Sequence, residues 1–342
     1  MLDDSFVATL EKYLREVEPD RGATVHSCQP ISGGYSRVSA IAEVEWLDGT
    51  REKFVVRGDP PSDTGVFESE RVPEWRLLQA LSRCSNTVRI PEPRYFDAEG
   101  DKLGLKCMLS EFFGGTSLQA VAAEADDLSE ATRIFVETAA AIHRTPLDSL
   151  PPDMERPADW DAYMDEVIAT YERIAVDSAE TYPLLTYVSA WLRRHRPPPV
   201  PLTLVHGDWQ PSNVLVADGQ PPHVIDWEFG HVGDPREDLG YYFMIPMPPN
   251  LYREDPESFL ARYRDLTGLT EEQVNPEVVE YFLLIGMAML LGQMISATGG
   301  LAAGQHRGVM APYLISGISH MFGTFLDVCK RLDGSPRLGG AA

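Results

Sequence analysis

Apolar residues recur along this chain with two periods, and the positions where one gives way to the other divide it. Over residues 4 to 17, Phe6, Val7, Leu10, Leu14 and Val17 fall at helical spacing behind Asp3, Asp4 and Ser5, which suit the start of a helix. From Val38 to Arg57 apolar and polar residues alternate on either side of Asp48-Gly49, a dipeptide that favours a tight turn, so two antiparallel strands are expected. Helical spacing returns from Glu70 to Leu81 through Trp75, Leu77, Leu78 and Leu81. Ile90-Pro91-Glu92-Pro93 breaks it ahead of a further strand pair, around Tyr95 and over Leu105 to Leu109. The first 110 residues therefore read as a sheet with one or two helices.

After Gly114-Gly115 the helical period dominates. Helices are expected over 129–144, capped by Ser129 and stopped before Pro146, and over 159–176 and 183–195, with Pro197 to Pro201 closing the block. The run from Tyr281 to Ile295 is apolar nearly all round. It falls short of the roughly twenty residues of a membrane span, Glu277 and Glu280 precede it and Gln293 interrupts it, so a helix buried in a core is expected. The fold class is α+β: a small β-rich first part and a larger, mostly helical second part carrying a small β insertion. A disordered tail is expected over 334–342.

Composition narrows the partners. Asp and Glu number 52 against 29 Lys and Arg, a balance that disfavours nucleic acid or an anionic membrane and would suit a cationic substrate. The acids are spread along the chain, which is also what solubility alone would produce. Cys28, Cys84, Cys107 and Cys329 are widely separated and form no Cys-x-x-Cys pair, so reduced thiols are expected. The start, Met1-Leu2-Asp3-Asp4-Ser5, lacks a basic segment followed by an apolar one, and a cytoplasmic protein is expected.

The chemistry concentrates in His206-Gly207-Asp208-Trp209-Gln210-Pro211-Ser212-Asn213, followed after a short strand and a turn by Ile225-Asp226-Trp227-Glu228. Pro211 keeps the first stretch from being helical, so Asp208 and Asn213 can both point into one cleft. Asp226 ends the apolar run Val224-Ile225 and adds a second carboxylate. Phosphoryl transfer needs one carboxylate to orient a hydroxyl and hard oxygen ligands to hold magnesium against nucleotide phosphates. Asp208 suits the first task, Asn213 and Asp226 the second. Singly, such residues commonly cap turns; in this order and spacing they point to a phosphoryl-transfer centre. Ser32-Gly33-Gly34-Tyr35-Ser36 precedes the first hairpin strand, where its glycines would let the backbone approach a phosphate, although the same stretch suits an ordinary turn.

The pattern His-Gly-Asp-x-x-x-x-Asn followed by Ile-Asp-Trp resembles the aminoglycoside phosphotransferase and choline kinase-like family, small-molecule relatives of the protein kinases. The resemblance runs from about Ser32 to Asp238. It implies a bilobal protein-kinase-like fold: a nucleotide-binding N-lobe over 1–110, a hinge over 111–115 and a helical C-lobe over 116–333. It also implies ATP and magnesium as cofactors, with the γ-phosphoryl group passing to a hydroxyl of a small molecule.

Residue by residue, the same resemblance gives Ser32, Gly33, Gly34 and Ser36 a phosphate-contacting role. It puts Arg57 where kinases carry a phosphate-binding lysine. The carboxylate partner of Arg57 falls at Glu74, with Glu70 one turn earlier as the competitor. Met108 to Gly114 resembles the hinge, making Ser110 C=O and Phe112 N–H the expected readers of adenine. Asp208 becomes the catalytic base, Asn213 and Asp226 the metal ligands, and Asp238 a structural residue; His206 reads as a brace for the loop, with a catalytic histidine as the alternative. Glu228 is either near the metal or simply at the surface.

Other chemistries lack their residues. The histidines have no zinc-site spacing, and neither Gly-x-Ser-x-Gly nor Gly-x-Gly-x-x-Gly occurs. No Ala-Pro-Glu motif follows Asp226, which argues against a protein kinase. A nucleotide-binding pseudokinase is the rival class, and the intact trio weighs against it. The acceptor stays open: an aminoglycoside would want a local acidic cluster, whereas a macrolide-like ring or a hydroxyacyl thioester would want an apolar wall, such as Tyr241 to Pro249 or Tyr281 to Ile295 could supply.

Overall fold

A computed structural model describes residues 4–31, 38–59, 71–84, 88–177, 184–244, 247–302 and 323–333. Two compact units divide the chain: Met1–Ser85 with Arg89–Gly115, and Asn86–Val88 with Thr116–Ala342. The expected tail over 334–342 lies outside the described residues.

In the first unit α1 (Asp4–Val17) is amphipathic and packs on a five-stranded antiparallel sheet. The strands are β1 (Ala23–Pro30), β2 (Val38–Trp46), β3 (Arg51–Gly58), β4 (Pro93–Asp97) and β5 (Cys107–Glu111), in the order β1-β2-β3-β5-β4. Alternation fixes which face is buried: Ala40, Ala42, Val44 and Trp46 of β2 and Phe54 and Val56 of β3 meet Phe6, Leu10 and Leu14 of α1. At the β2–β3 turn, Gly49 takes a φ of +83° and Asp48 Oδ1 accepts the Thr50 N–H at 2.8 Å. Helix α2 (Arg71–Arg83) turns Leu77, Leu78 and Leu81 inward. No strand was expected at β1; a register shift between Val25 and Ser27 interrupts its alternation.

The second unit is built on helices. They are α3 (Leu118–Glu124), α4 (Ser129–His143), α5 (Trp160–Asp177), α6 (Leu184–Arg194), α7 (Arg236–Met244), α8 (Leu251–Glu254), α9 (Pro256–Thr267) and α10 (Pro276–Ala302), with a last helix over 323–332. Ser129 does not cap α4, as its spacing suggested: it is the first helical residue, and Asp127 Oδ1 accepts its N–H at 2.9 Å instead. The Tyr281 to Ile295 run falls within α10, whose Tyr281, Phe282, Leu284 and Leu291 are buried against α5, α6 and the last helix. Among the described residues no helix is long and apolar enough to cross a membrane.

Helix α7 is fixed from two sides. At its start Arg236, fully buried, forms a two-point ion pair with Asp234 at 2.9 and 2.6 Å, and Trp160 Nε1 donates to the same carboxylate at 2.6 Å. In its middle Gly240 presses on α10, where a Cβ would lie 2.4 Å from the carbonyl carbon of Phe282. Two small sheets complete the unit. One pairs β7 (Thr203–Val205) with β10 (His231–Gly233), and the other runs β6 (Thr116–Ser117), β8 (Val214–Val216), β9 (His223–Val224).

Candidate active site

Strand β7 delivers the chain to His206, and the next three residues leave it in a sharp turn. Gly207 adopts a φ of +80°, and a Cβ there would stand 2.5 Å from Phe229 O, so glycine alone fits both the conformation and the space. The turn is held from beneath by Asp238 of α7, which is fully buried. Its Oδ2 accepts the His206 N–H and its Oδ1 the Gly207 N–H, each at 2.9 Å. Asp238 Oδ2 also lies 2.9 Å from His143 Nε2, and Tyr263 OH lies 2.6 Å from His143 Nδ1. Burial by itself would raise the Asp238 pKa. The hydrogen bond and charge of His143, with the contribution of His206, outweigh it and hold the carboxyl below its ordinary value.

His206 braces the loop sideways. Its Nδ1 accepts the Asp208 N–H at 3.2 Å, leaving Nε2 as the protonated nitrogen that donates to Ile225 O at 3.0 Å. The ring packs between Trp209 and Trp227, both fully buried, and Trp209 stacks in turn on Phe135 of α4. The histidine therefore ties the loop to the segment that carries Asp226.

Asp208 is half-buried at the head of this loop. Gln210 Nε2 donates to its Oδ1 at 2.9 Å, and Asn213 Nδ2 donates to its Oδ2 at 2.9 Å. Tyr241 of α7 acts on the same carboxylate, lowering its pKa. Desolvation is the largest influence on Asp208 and raises its pKa, and the nearby Asp226 charge pushes the same way.

A single 3₁₀ turn over Pro211–Asn213, with Pro211 in its first turn, brings Asn213 back over Asp208. Asn213 spends its amide N–H on the Asp208 main chain and carboxylate, which leaves Oδ1 as its acceptor. The β8–β9 hairpin then continues inward: Val214 faces Val224, and Ile225 N donates to Asn213 O at 3.0 Å. Asp226 is thereby delivered beside Asn213. It adopts a φ of +69°, the one non-glycine residue among those described with a positive φ, a strained conformation that persists where surrounding structure enforces it. Glu228, also half-buried, adds its field at the Tyr241 hydroxyl.

The nucleotide-site residues of the sequence reading fall in the first unit. Ser32, Gly33, Gly34, Ser36 and Glu70 lie outside the described residues. Arg57 is half-buried on β3, and its Nη1 donates to Glu74 Oε1 at 3.2 Å; the Glu74 side chain is buried, with Arg71 Nη1 at 3.8 Å from its second oxygen. Ser110 sits in β5 opposite Val55 and Pro93. The Phe112 N–H donates to Lys53 O at 3.0 Å, so in this structure that donor serves the sheet. All four cysteines are free thiols.

Four residues of the second unit belong to this arrangement without having been singled out. Gln210 lies inside the motif. Tyr241 stands three residues after Asp238 on one helix, a spacing that places both on one face, which is the signal that could have found it. His143 and Tyr263 come from distant helices and carry no local signal.

The loop and the hairpin that follows it thus bring a carboxylate, a side-chain amide and a second carboxylate together. Residues 27–277 match the model of the phosphotransferase enzyme family (APH), and the chain belongs to that family. Among curated proteins it is similar to acyl-CoA dehydrogenase family member 11 of Homo sapiens, 22% identical over 363 residues, and of Pongo abelii, 21% identical over 364 residues. Each alignment takes in 98% of this chain and 45% of the relative, so the chain spans less than half the length of those relatives. Among solved structures it is similar to a Ralstonia eutropha protein assigned as an aminoglycoside phosphotransferase, with a TM-score of 0.69 at 18% identity over 95% of this chain and 98% of that one. A thermostable mutant of aminoglycoside phosphotransferase APH(4)-Ia in complex with ADP and hygromycin B gives 0.62 at 18% identity, covering 96% and 99%. Macrolide 2'-phosphotransferase MphH from Brachybacterium faecium gives 0.60 at 18% identity, covering 90% and 97%. The fold is the α+β, protein-kinase-like fold of the aminoglycoside phosphotransferases.

Proposed function

We propose that the protein is a magnesium-dependent kinase that moves the γ-phosphoryl group of ATP to a hydroxyl of a small molecule. The observation that carries this reading is the interlock of Asp208, Asn213 and Asp226: one amide bonds the first carboxylate, and one hairpin rung delivers the second. Asp208 orients the acceptor hydroxyl and takes up its proton as the oxygen bonds to phosphorus and the bridging oxygen departs with ADP. Burial, which raises its pKa, makes it a better base than an exposed aspartate once ionised.

The donor set fits magnesium, since Asn213 Oδ1 and the Asp226 carboxylate are hard oxygens and the strained backbone at Asp226 fixes where its side chain starts. When bound, the ion would neutralise charge on the phosphates. Arg57, oriented by Glu74, would meet the phosphates as a fixed cation, and Ser32, Gly33, Gly34 and Ser36 are the further candidate phosphate contacts. Ser110 C=O and Phe112 N–H remain the candidate adenine contacts, the latter after exchanging its present partner.

For the acceptor, the curated relatives favour a hydroxyacyl thioester. Proteins named for acyl-CoA chemistry align with nearly the whole chain, whereas the likeness to aminoglycoside and macrolide enzymes is one of fold. The test is a panel of hydroxyacyl-CoA thioesters, aminoglycosides and macrolides incubated with magnesium and ATP, each searched for a mass gain of one phosphate. Phosphorylation of the thioesters at the hydroxyl is expected. Labelling of aminoglycosides in preference would overturn the acceptor assignment, and nucleotide binding with no labelled alcohol in any class would favour the pseudokinase.

A further inference from the structure

Four charged side chains of the first unit meet where β3 ends and α2 begins. Arg57 and Asp59 stand two residues apart along the extended chain and so share a face; the Asp59 N–H carries the pairing with β5 one step past the strand, donating to Lys106 O at 2.9 Å. Arg71 and Glu74 stand three apart in the first turn of α2 and share a face as well. The contacts alternate in sign: Asp59 Oδ1 accepts from Arg71 Nε at 2.7 Å, Arg71 Nη1 lies 3.8 Å from Glu74 Oε2, and Glu74 Oε1 accepts from Arg57 Nη1 at 3.2 Å. Glu74 thus turns one oxygen towards each guanidinium. Its side chain is 1% exposed and that of Arg71 2%, against 16% for Arg57 and 33% for Asp59. A buried arginine in the first turn of a helix works against the macrodipole and against its own desolvation, and Arg57 alone would already neutralise Glu74. Arg71 is costly where it stands.

We propose that Arg71 is a positioning residue for the nucleotide phosphates, acting through Glu74: it occupies the second carboxylate oxygen, so that Arg57 is aimed by Glu74 without being neutralised by it. The inference rests on Arg57 serving as the phosphate cation. Were Glu74 to face Arg57 alone, the two would close into the bidentate pair that guanidinium and carboxylate favour, and the charge and donors of Arg57 would turn inward. With Arg71 on the other oxygen, one carboxylate is divided between two cations, and the surplus positive charge falls on the more exposed of them, Arg57. Asp59, which offsets Arg71, faces water and is partly screened by it.

The test uses the full chain and two probes, magnesium-ATP and adenosine, whose affinities are read by calorimetric titration at a temperature below every thermal midpoint. Arg71→Met is expected to weaken ATP about tenfold and adenosine by less than about twofold, because only the phosphates meet the cation. Arg71→Lys keeps the charge but not the fork, and should weaken ATP only about threefold. In a Glu74→Gln background Arg71→Met should change ATP affinity by less than about twofold, since a residue acting through a carboxylate's charge has nothing to act on once that charge is gone. Equal weakening of ATP and adenosine would leave only a packing role and overturn the inference. Unchanged ATP affinity in Arg71→Met, or the same loss repeated in the Glu74→Gln background, would overturn it too. If Arg71→Met does not fold, Arg71→Lys carries the comparison: a loss confined to ATP supports the inference, and losses shared with adenosine overturn it. Arg57→Met with ATP affinity intact would instead strike the reading of Arg57 as the phosphate cation, and the inference with it.

Discussion

Removing the Asp238 carboxylate should undo the catalytic loop and much of the second unit's stability. In Asp238→Ala the His206 and Gly207 N–H groups and His143 Nε2 all lose their acceptor, the first and last of them at buried residues. Stranding one buried polar group costs about 1–3 kcal/mol. The three bonds share one carboxylate and do not add fully, so a loss of about 4 kcal/mol is expected, a large share of a typical total of about 5–15 kcal/mol. Asp238→Asn keeps the shape and an acceptor but turns an NH₂ towards a loop N–H, and should lose about half as much.

The assay is urea unfolding followed by tryptophan fluorescence, since Trp209 and Trp227 pack on His206 and report this loop. The pH dependence supplies a second check. The folded pKa of Asp238 is depressed, so its contribution is complete above the ordinary carboxylate value of about 4 and disappears as pH falls through the folded value. The gap between parent and Asp238→Ala should therefore be level from about pH 6 to 8 and close in acid. A gap below about 1 kcal/mol at neutral pH would refute the brace, because even one stranded buried donor costs that much.

Three further outcomes follow from the same geometry. Gly207→Ala forces a Cβ to within 2.5 Å of Phe229 O at a φ of +80°, so ATP turnover should fall at least about tenfold while the protein still folds. Gly240→Ala pushes α7 off α10, where the nearest atom is backbone at 2.4 Å, and a thermal-midpoint measurement should show a loss of about 1–3 kcal/mol. For His231, burial lowers the pKa but the hydrogen bond and charge of Glu237 outweigh it and push the imidazole up to about 9. Its folded value thus lies above the unfolded one of about 6.5; the stabilisation is complete below that and lost as pH rises through about 9, and His231→Asn should flatten the melting profile over that range.

What the sequence disclosed, and what it withheld, follows physical lines. Helix α1 and the β2–β3 hairpin were legible because each buries one face against one partner, so a single period runs their whole length. Strand β1 was not, since a register shift between Val25 and Ser27 breaks its alternation after one repeat. Ser129 was misread as the cap of α4 because it is a good cap residue by type, whereas the cap position falls at Leu128 and the side-chain acceptor comes from Asp127. At the site, Asp208, Asn213 and Asp226 stood out because they share one loop and one hairpin. His143 and Tyr263 did not, because the His143–Asp238 and Tyr263–His143 bonds join α4, α7 and α9 across about a hundred residues each.

The most direct measurement is a crystal structure with a non-hydrolysable ATP analogue and manganese in place of magnesium, located by its anomalous scattering. The account predicts a metal peak bonded to Asn213 Oδ1 and the Asp226 carboxylate at about 2.1 Å, touching analogue phosphate, with the Asp208 carboxylate facing the γ-phosphoryl group. A peak bonded to neither residue, or no peak at saturating analogue, would contradict it.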